Sequence, residues 1–253
     1  MTTLQDFKGR SALVTGAASG IGAACATMLA ERGAAKLFLV DVDGPGLDAL
    51  DFPGVEVHRI VGSVADEALW QALEPRLAGL DHAVVNAGIG AGGPLASLSL
   101  AEWRRVMDVN LDGAFLTLAT SLRAMAGKSG SVVVVSSTTG LKPLPGIGPY
   151  GVSKAAVAHM ARIAAAENAK AGIRVNAIAP GGVDTAIWES GPDFLASVER
   201  IGREATLKAM AKTTPSGRFA SPQEMAESIC FLLSDANSNI TGHVLVSDGG
   251  FTL

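Results

Sequence analysis

Seven short runs of apolar, largely β-branched residues punctuate the chain, at 11–15, 37–40, 55–61, 82–85, 132–135, 173–178 and 244–246, and the segments between them are long enough for helices. Several of these runs are continuously hydrophobic, with no alternation of apolar and polar positions. A strand carries that pattern only when both of its faces are covered, which calls for a parallel sheet between two layers of helices. The expectation is an α/β, doubly wound architecture with a mostly parallel seven-stranded sheet. No internal repeat, low-complexity tract or Pro/Gly/Ser linker divides the sequence, so residues 1–253 read as one domain.

Two helix starts are signalled by capping boxes, Ser99 with Glu102 and Ser221 with Glu224, the second with Pro222 where a missing N–H costs nothing. The segment 186–217 breaks the strand–helix alternation. It is helical in pattern, holds Trp188, Phe194 and Leu195, and reads as an inserted lid.

Charge and composition narrow the partners. The 20 Lys and Arg are slightly outnumbered by 24 Asp and Glu and are scattered, which gives no footprint for nucleic acid or an anionic membrane surface. With 48% hydrophobic and 17% charged residues the chain is too apolar for disorder, yet no apolar run reaches the ~18 residues of a membrane span. The first ten residues, MTTLQDFKGR, lack the apolar core of a secretory signal, and Cys25 and Cys230 lie far apart without metal-ligand spacing. No metal is expected, and cytoplasmic residence with reduced thiols is.

The first strand runs into Thr15-Gly-Ala-Ala-Ser-Gly-Ile-Gly22 and then directly into a helical pattern. Glycines at 16, 20 and 22 allow a tight turn and close backbone approach, and a helix N-terminus offers free N–H groups to a pyrophosphate. The spacing is GxxxGxG, and by itself it is also compatible with a plain strand-to-helix turn. Asp41 closes the second strand, where a carboxylate can accept from both ribose hydroxyls of an adenosine and repel a 2′-phosphate. No Arg or Lys stands at 17–19 or at 42 to receive such a phosphate, so NAD is expected over NADP; a solvated loop carboxylate is the other reading of Asp41.

The chain contains a single tyrosine, Tyr150, and Lys154 follows it by four residues in a helical segment, on the same face. An ammonium near a phenol favours the phenolate, so Lys154 is expected to lower the Tyr150 pKa and make it a usable base. His159 is a rival base by chemistry, but its helical phase points it away from Tyr150.

These residues fall into an ordered set. TGAASGIG at 15–22, Asn86-Ala-Gly88, Asn110, Ser136-Ser137, YGVSK at 150–154, Pro180-Gly-Gly-Val-Asp-Thr185 and the ending 241–250 together resemble the short-chain dehydrogenase/reductase family over essentially the whole chain. The resemblance implies a Rossmann-type fold. It also implies a catalytic tetrad in which Tyr150 is the acid/base on the substrate oxygen, Ser137 hydrogen-bonds that oxygen, Lys154 holds the nicotinamide ribose and lowers the tyrosine pKa, and Asn110 helps position a proton-relaying water. An Asn that merely bridges helix backbone is the plainer reading of Asn110. By the same resemblance the cofactor is surrounded by Gly16, Ser19, Gly20, Ile21, Gly22, Asp41, Ser63, Val64, Asn86, Ala87, Gly88, Pro180, Gly181, Val183 and Thr185, together with Tyr150 and Lys154. Ser63 stands where the family usually has an aspartate against adenine. Ser136 is expected to face away from Ser137. Gly182 is read as extra freedom in its turn.

The implied activity is hydride transfer between NAD(H) and a secondary alcohol or ketone by a homotetramer. The presumed pocket edges, 89–98, 141–147 and 186–195, are dominated by apolar residues with Gly and Pro, which favours an apolar or aromatic substrate. A 3-oxoacyl carrier-protein reductase and a non-catalytic dinucleotide sensor are the alternatives.

Overall fold

A computed structural model describes residues 5–253; the start of the N-terminal reading, residues 1–4, lies outside the described residues. The chain runs β1 (Ser11–Thr15), α1 (Gly20–Glu31), β2 (Lys36–Asp41), α2 (Gly44–Asp48), β3 (Glu56–Val61), α3 (Glu67–Leu73), β4 (His82–Val85), α4 (Leu100–Met107) and α5 (Gly113–Ala124). It continues with β5 (Gly130–Val135), α6 (Gly148–Asn168), β6 (Ile173–Pro180), α7 (Pro192–Ile201), α8 (Arg203–Met210), α9 (Pro222–Leu233) and β7 (Val244–Ser247). The strands form one seven-stranded sheet in the order β3-β2-β1-β4-β5-β6-β7. Every neighbouring pair is parallel, so the mostly parallel sheet expected is entirely so.

The continuous apolar runs have the cause inferred for them. Successive residues of the central strands feed two separate cores: Leu13, Ala83, Val132 and Val134 face α3, α5 and α6, while Ala12, Val14, Val84 and Val133 face α1 and α9. Edge strands need no such covering, and in β3 buried positions give way to half-buried and exposed ones. The order reverses between β1 and β4, where the chain leaves β3 and returns beside β1. The carboxyl ends of parallel strands diverge at such a switch point and open a crevice for ligands.

Ser221 and Glu224 form the full reciprocal capping box with Pro222 in the first turn. Ser99 does not. Its hydroxyl accepts from the Glu102 amide, but the Glu102 carboxylate is turned along the helix to Arg105, which donates two hydrogen bonds at 2.8 Å, whereas the arginine that pairs with Glu224, Arg218, precedes the cap and leaves Glu224 within reach of the Ser221 amide. The segment 186–217 is a short 3₁₀ turn followed by α7 and α8, which meet at Gly202 with φ +83°. Phe194 and Leu207 are buried in it, whereas Leu195 and Ile201 are exposed. No described helix is long and apolar enough to cross a membrane.

Candidate active site

At the end of β1 the backbone turns at Gly16 (φ +64°) and Gly20 (φ +54°), conformations that side chains other than glycine's resist. Gly22 has a different reason to be glycine: a Cβ there would collide with the Gly16 carbonyl oxygen. The Asn86 amide group braces the loop from β4, donating to the Thr15 and Gly16 carbonyls at 2.9 and 3.2 Å, and the Thr15 hydroxyl accepts from the Asn86 and Ala87 amides. Asn86 is thus a strut of the turn. Ser19 and Ile21 flank Gly20 at the α1 N-terminus, Ser19 exposed and Ile21 half-buried, and the Ser19 side chain caps no helix N–H.

Asp41, at the tip of β2, accepts from the Ala18 amide at 2.9 Å and from the Asp43 amide at 3.0 Å, one on each carboxylate oxygen. Each oxygen keeps a lone-pair direction, so the carboxylate is oriented and still able to accept from a pair of vicinal hydroxyls. The Ser63 hydroxyl accepts from the Ala65 amide at 3.2 Å and keeps its hydrogen, and Val64 beside it is buried. The glycine cradle that a Cβ would fill, and the oriented carboxylate beyond it, fit a dinucleotide with free ribose hydroxyls.

The chemistry-bearing side chains meet where β5 ends against α6. Ser136 donates to the Lys154 carbonyl at 2.7 Å, while Ser137 turns into the 3₁₀ turn 138–140 and meets Thr139, so the two serines do face apart. Lys154 is 4% exposed; its Nζ donates to the Val135 carbonyl at 2.9 Å and lies 5.6 Å from the Tyr150 ring centroid. Burial pushes the Lys154 ammonium down to about 8. His159 is exposed on the far face of α6.

The expectation for Tyr150 is corrected. Its phenol is pushed up by burial, against a smaller downward pull from the Ser137 hydroxyl. Desolvating a phenolate in this wall costs more than the protein's own groups return, and a lysine whose own charge is weakened by burial adds no resolved help.

Asn110 lies on a π-helical turn, Asp108–Asp112, between α4 and α5. Its carboxamide oxygen accepts from the Ile89 amide at 2.8 Å, and its two N–H groups go to the Ile89 carbonyl at 3.0 Å and the Ser153 hydroxyl at 3.2 Å. Both donors are spent, so the Asn110 side chain clamps the β4 loop to α6. Gly88, next to that clamp, leaves room for Lys154: a Cβ there would sit 3.3 Å from Nζ.

On the other rim, β6 ends in Pro180 and Gly181, where a Cβ on Gly181 would press on Asp248. Val183 is held by the Trp188 indole, which donates to its carbonyl at 2.7 Å. Thr185 lies over Gly20, at whose position a Cβ would meet the threonine methyl at 3.1 Å. Gly182 does not serve for freedom of its turn, since its φ is not positive. The Phe219 ring occupies the place of its Cβ, and Trp188 stacks on Phe219 at 5.2 Å between centroids. Arg203 of α8 pairs with Asp184 at 2.6 Å and reaches the Thr185 carbonyl at 3.5 Å.

The pocket edges read from sequence come together. The Gly93 amide donates to the Gly146 carbonyl at 2.6 Å, Leu95 packs over Gly148, and Ile187 and Ser190 of the 186–217 segment crowd Gly90. Leu95, Leu141, Leu144 and Leu195 are exposed apolar residues of these segments. Thr139, Gly140, Phe219 and Arg203 are the site neighbours that the sequence reading missed. Gly140 carried a signal, since a glycine three residues past Ser137 marks a close approach, and the structure lays that turn flat against the α6 backbone.

A family model described as enoyl-(acyl carrier protein) reductase matches residues 16–252. The chain is 43% identical to cis-4-hydroxycyclohexanecarboxylate dehydrogenase of Sinomonas cyclohexanicum, over 98% of both chains. It is 37% identical to 2,5-dichloro-2,5-cyclohexadiene-1,4-diol dehydrogenase of Sphingobium indicum, over 98% of this chain and 99% of that one. Among solved structures, levodione reductase superposes with a TM-score of 0.87 at 35% identity, over 96% of this chain and 98% of the other.

Proposed function

The chain belongs to the short-chain dehydrogenase/reductase family, and on that premise we propose that it moves a hydride between NAD(H) and a secondary alcohol or ketone carried on an apolar six-membered carbocycle. The observation that supports this reading is that, at the junction of β5 and α6, Lys154 Nζ lies 5.6 Å from the Tyr150 ring centroid and the Ser137 hydroxyl hydrogen-bonds the Tyr150 phenol. The nicotinamide, when bound, supplies the hydride acceptor or donor. Gly16, Ser19, Gly20, Ile21 and Gly22 take the pyrophosphate, and Asp41 takes the adenosine ribose. Ser63, Val64, Asn86, Ala87 and Gly88 wall the adenosine side, and Pro180, Gly181, Val183 and Thr185 receive the carboxamide. Tyr150 holds and moves the proton at its Oη, Ser137 donates to the substrate oxygen, and Lys154 Nζ has two N–H directions beyond its Val135 bond for ribose hydroxyls. Asn110 cannot donate to a relay water, because both of its carboxamide N–H groups are spent.

The preference for NAD rests on Asp41, and the carbocycle on the apolar rims together with the substrates named in two relatives. Residues 186–217 act as a lid over the single domain. Phe115, Val152 and Ile163, apolar and exposed on α5 and α6, support self-association as a homotetramer, and two buried free thiols are in keeping with the cytoplasm. A panel of cyclohexanols, acyclic alcohols and polyols assayed by reduced-nicotinamide absorbance tests the reading; cyclohexanols should lead in kcat/KM with NAD, and preference for a polyol would refute the carbocycle. A 35% identity to the 3-oxoacyl-(acyl carrier protein) reductase of Thermotoga maritima keeps one other reading in view, reduction of a carrier-protein thioester. It requires efficient NADPH-dependent turnover of a 3-oxoacyl thioester, which Asp41 opposes.

A further inference from the structure

A serine hydroxyl has one hydrogen to give and two lone pairs to fill. At Ser137 two contacts to Oγ come from the same neighbour: the Thr139 amide donates to it at 3.2 Å, and Thr139 Oγ1 lies 3.0 Å from it. The turn that brings Thr139 there is fixed. Gly140 donates its amide to the Ser137 carbonyl at 3.0 Å, and a Cβ on Gly140 would stand 2.6 Å from the Ala155 amide nitrogen, so the turn lies on the α6 backbone beside Lys154. A Cβ on Gly151, next to Tyr150, would meet the Thr139 carbonyl at 3.2 Å.

We propose that Thr139 is a positioning residue whose hydroxyl donates to Ser137 Oγ, so that the single hydrogen of Ser137 is left for one acceptor on the Tyr150 side, the reacting oxygen when substrate is bound and the Tyr150 phenolate when it is not. The two hydroxyls could in principle be oriented either way. If Ser137 donated to Thr139, its hydrogen would be spent inside the turn and it would meet Tyr150 only as an acceptor, which favours the protonated phenol. With Thr139 as donor, Ser137 stabilises negative charge on the phenol or on a substrate oxygen, in accord with the downward pull of Ser137 on the Tyr150 pKa. The chain of hydroxyls is also polarised in one direction, which strengthens the terminal donor. The inference rests on the reading of Ser137 and Tyr150 as the proton-transfer pair.

The test uses the full-length enzyme with NAD and its best alcohol. Thr139→Val removes the hydroxyl and keeps the β-branch and the amide, Thr139→Ala removes it without that branch, and Thr139→Ser restores it. Both hydroxyl-free variants should lose about three- to tenfold in kcat, the worth of one hydrogen bond, with NAD affinity unchanged. The apparent pKa of kcat/KM for alcohol oxidation should move up, Thr139→Ser should return near wild type, and Thr139→Val should add nothing in a Ser137→Ala background. Wild-type kcat and pH profile in both hydroxyl-free variants, or an equal loss in the Ser137→Ala background, overturns the proposal. If Ser137→Ala and Tyr150→Phe themselves stay active, it is the proton-transfer reading that fails, and the Thr139 inference falls with it.

Discussion

Lys154 Nζ lies 5.6 Å from the centroid of the Tyr150 ring, yet its hydrogen bond goes to the Val135 carbonyl and not to the phenol. The ammonium is thus committed to the β5 backbone, with its own pKa lowered to about 8 by burial.

Because Tyr150 is the only tyrosine, alkaline difference absorbance reports on it alone. The protein by itself should show a phenol midpoint above the ~10 of free tyrosine, and saturation with NAD should bring the midpoint down. A midpoint below that of free tyrosine without NAD contradicts the burial argument. Tyr150→Phe should cut turnover by about 10²- to 10⁴-fold, the usual worth of a positioned acid/base, while leaving NAD binding intact.

Asp41→Asn keeps the shape and removes the charge. Weakening hydrogen bonds to a charged acceptor should cost NAD about 1.5–3 kcal/mol in kcat/KM, and relief of repulsion should narrow the gap to NADP. Equal efficiency of the wild-type enzyme with NADP would defeat this assignment.

Arg203 ties α8 to the strand of residues that carries Thr185, through Asp184 and the Thr185 carbonyl. The pair is substantially exposed, so the effect should be small: Arg203→Met should weaken NAD binding by about two- to fivefold. ADP-ribose, which lacks the nicotinamide, should bind both proteins alike in calorimetry. A parallel loss for both ligands would place the effect in general stability.

His82 in β4 is buried, its Nδ1 bonded to the Ser131 hydroxyl at 2.8 Å and its Nε2 without a partner among the described residues, and burial lowers its pKa to about 4. Unfolded, it titrates near 6.5. Between those values the unfolded chain binds the extra proton, so this residue's contribution is intact above pH 6.5 and declines as the pH falls towards 4, by up to about 3 kcal/mol. His82→Gln should flatten the fall of Tm between pH 6.5 and 4.5; an unchanged slope would show that other groups govern it.

What was legible in the sequence follows from the range of the physics involved. Strands such as 132–135 announce themselves because burial on both faces leaves no polar position, and Asp41 is legible because its place relative to the glycines is set by one strand length. The capping of α4 was half legible; the competition of Arg105 for Glu102 is a helical-neighbour effect present in the sequence and overlooked. The sign of the Tyr150 shift was not legible, because it depends on how deep the phenol sits, a property of the folded wall and not of the four-residue spacing to Lys154. Phe219 against Gly182 was beyond reach, since nothing local to either residue names the other.

That contact has a bearing on how such an enzyme can change. Trp188, stacked on Phe219 and bonded to Val183, fastens the start of the 186–217 segment to the residues that follow β6, whereas the exposed Leu195 and Ile201 lie on a helix bounded by Gly191 and Gly202. A substitution at Trp188 or Phe219 would be felt at Gly182 and Val183, which they touch, whereas Leu195 and Ile201 have no such contact to disturb. Residues 191–201, set off by a glycine at each end, are therefore the stretch that can be exchanged for a relative's with the least disturbance to the Trp188 anchor.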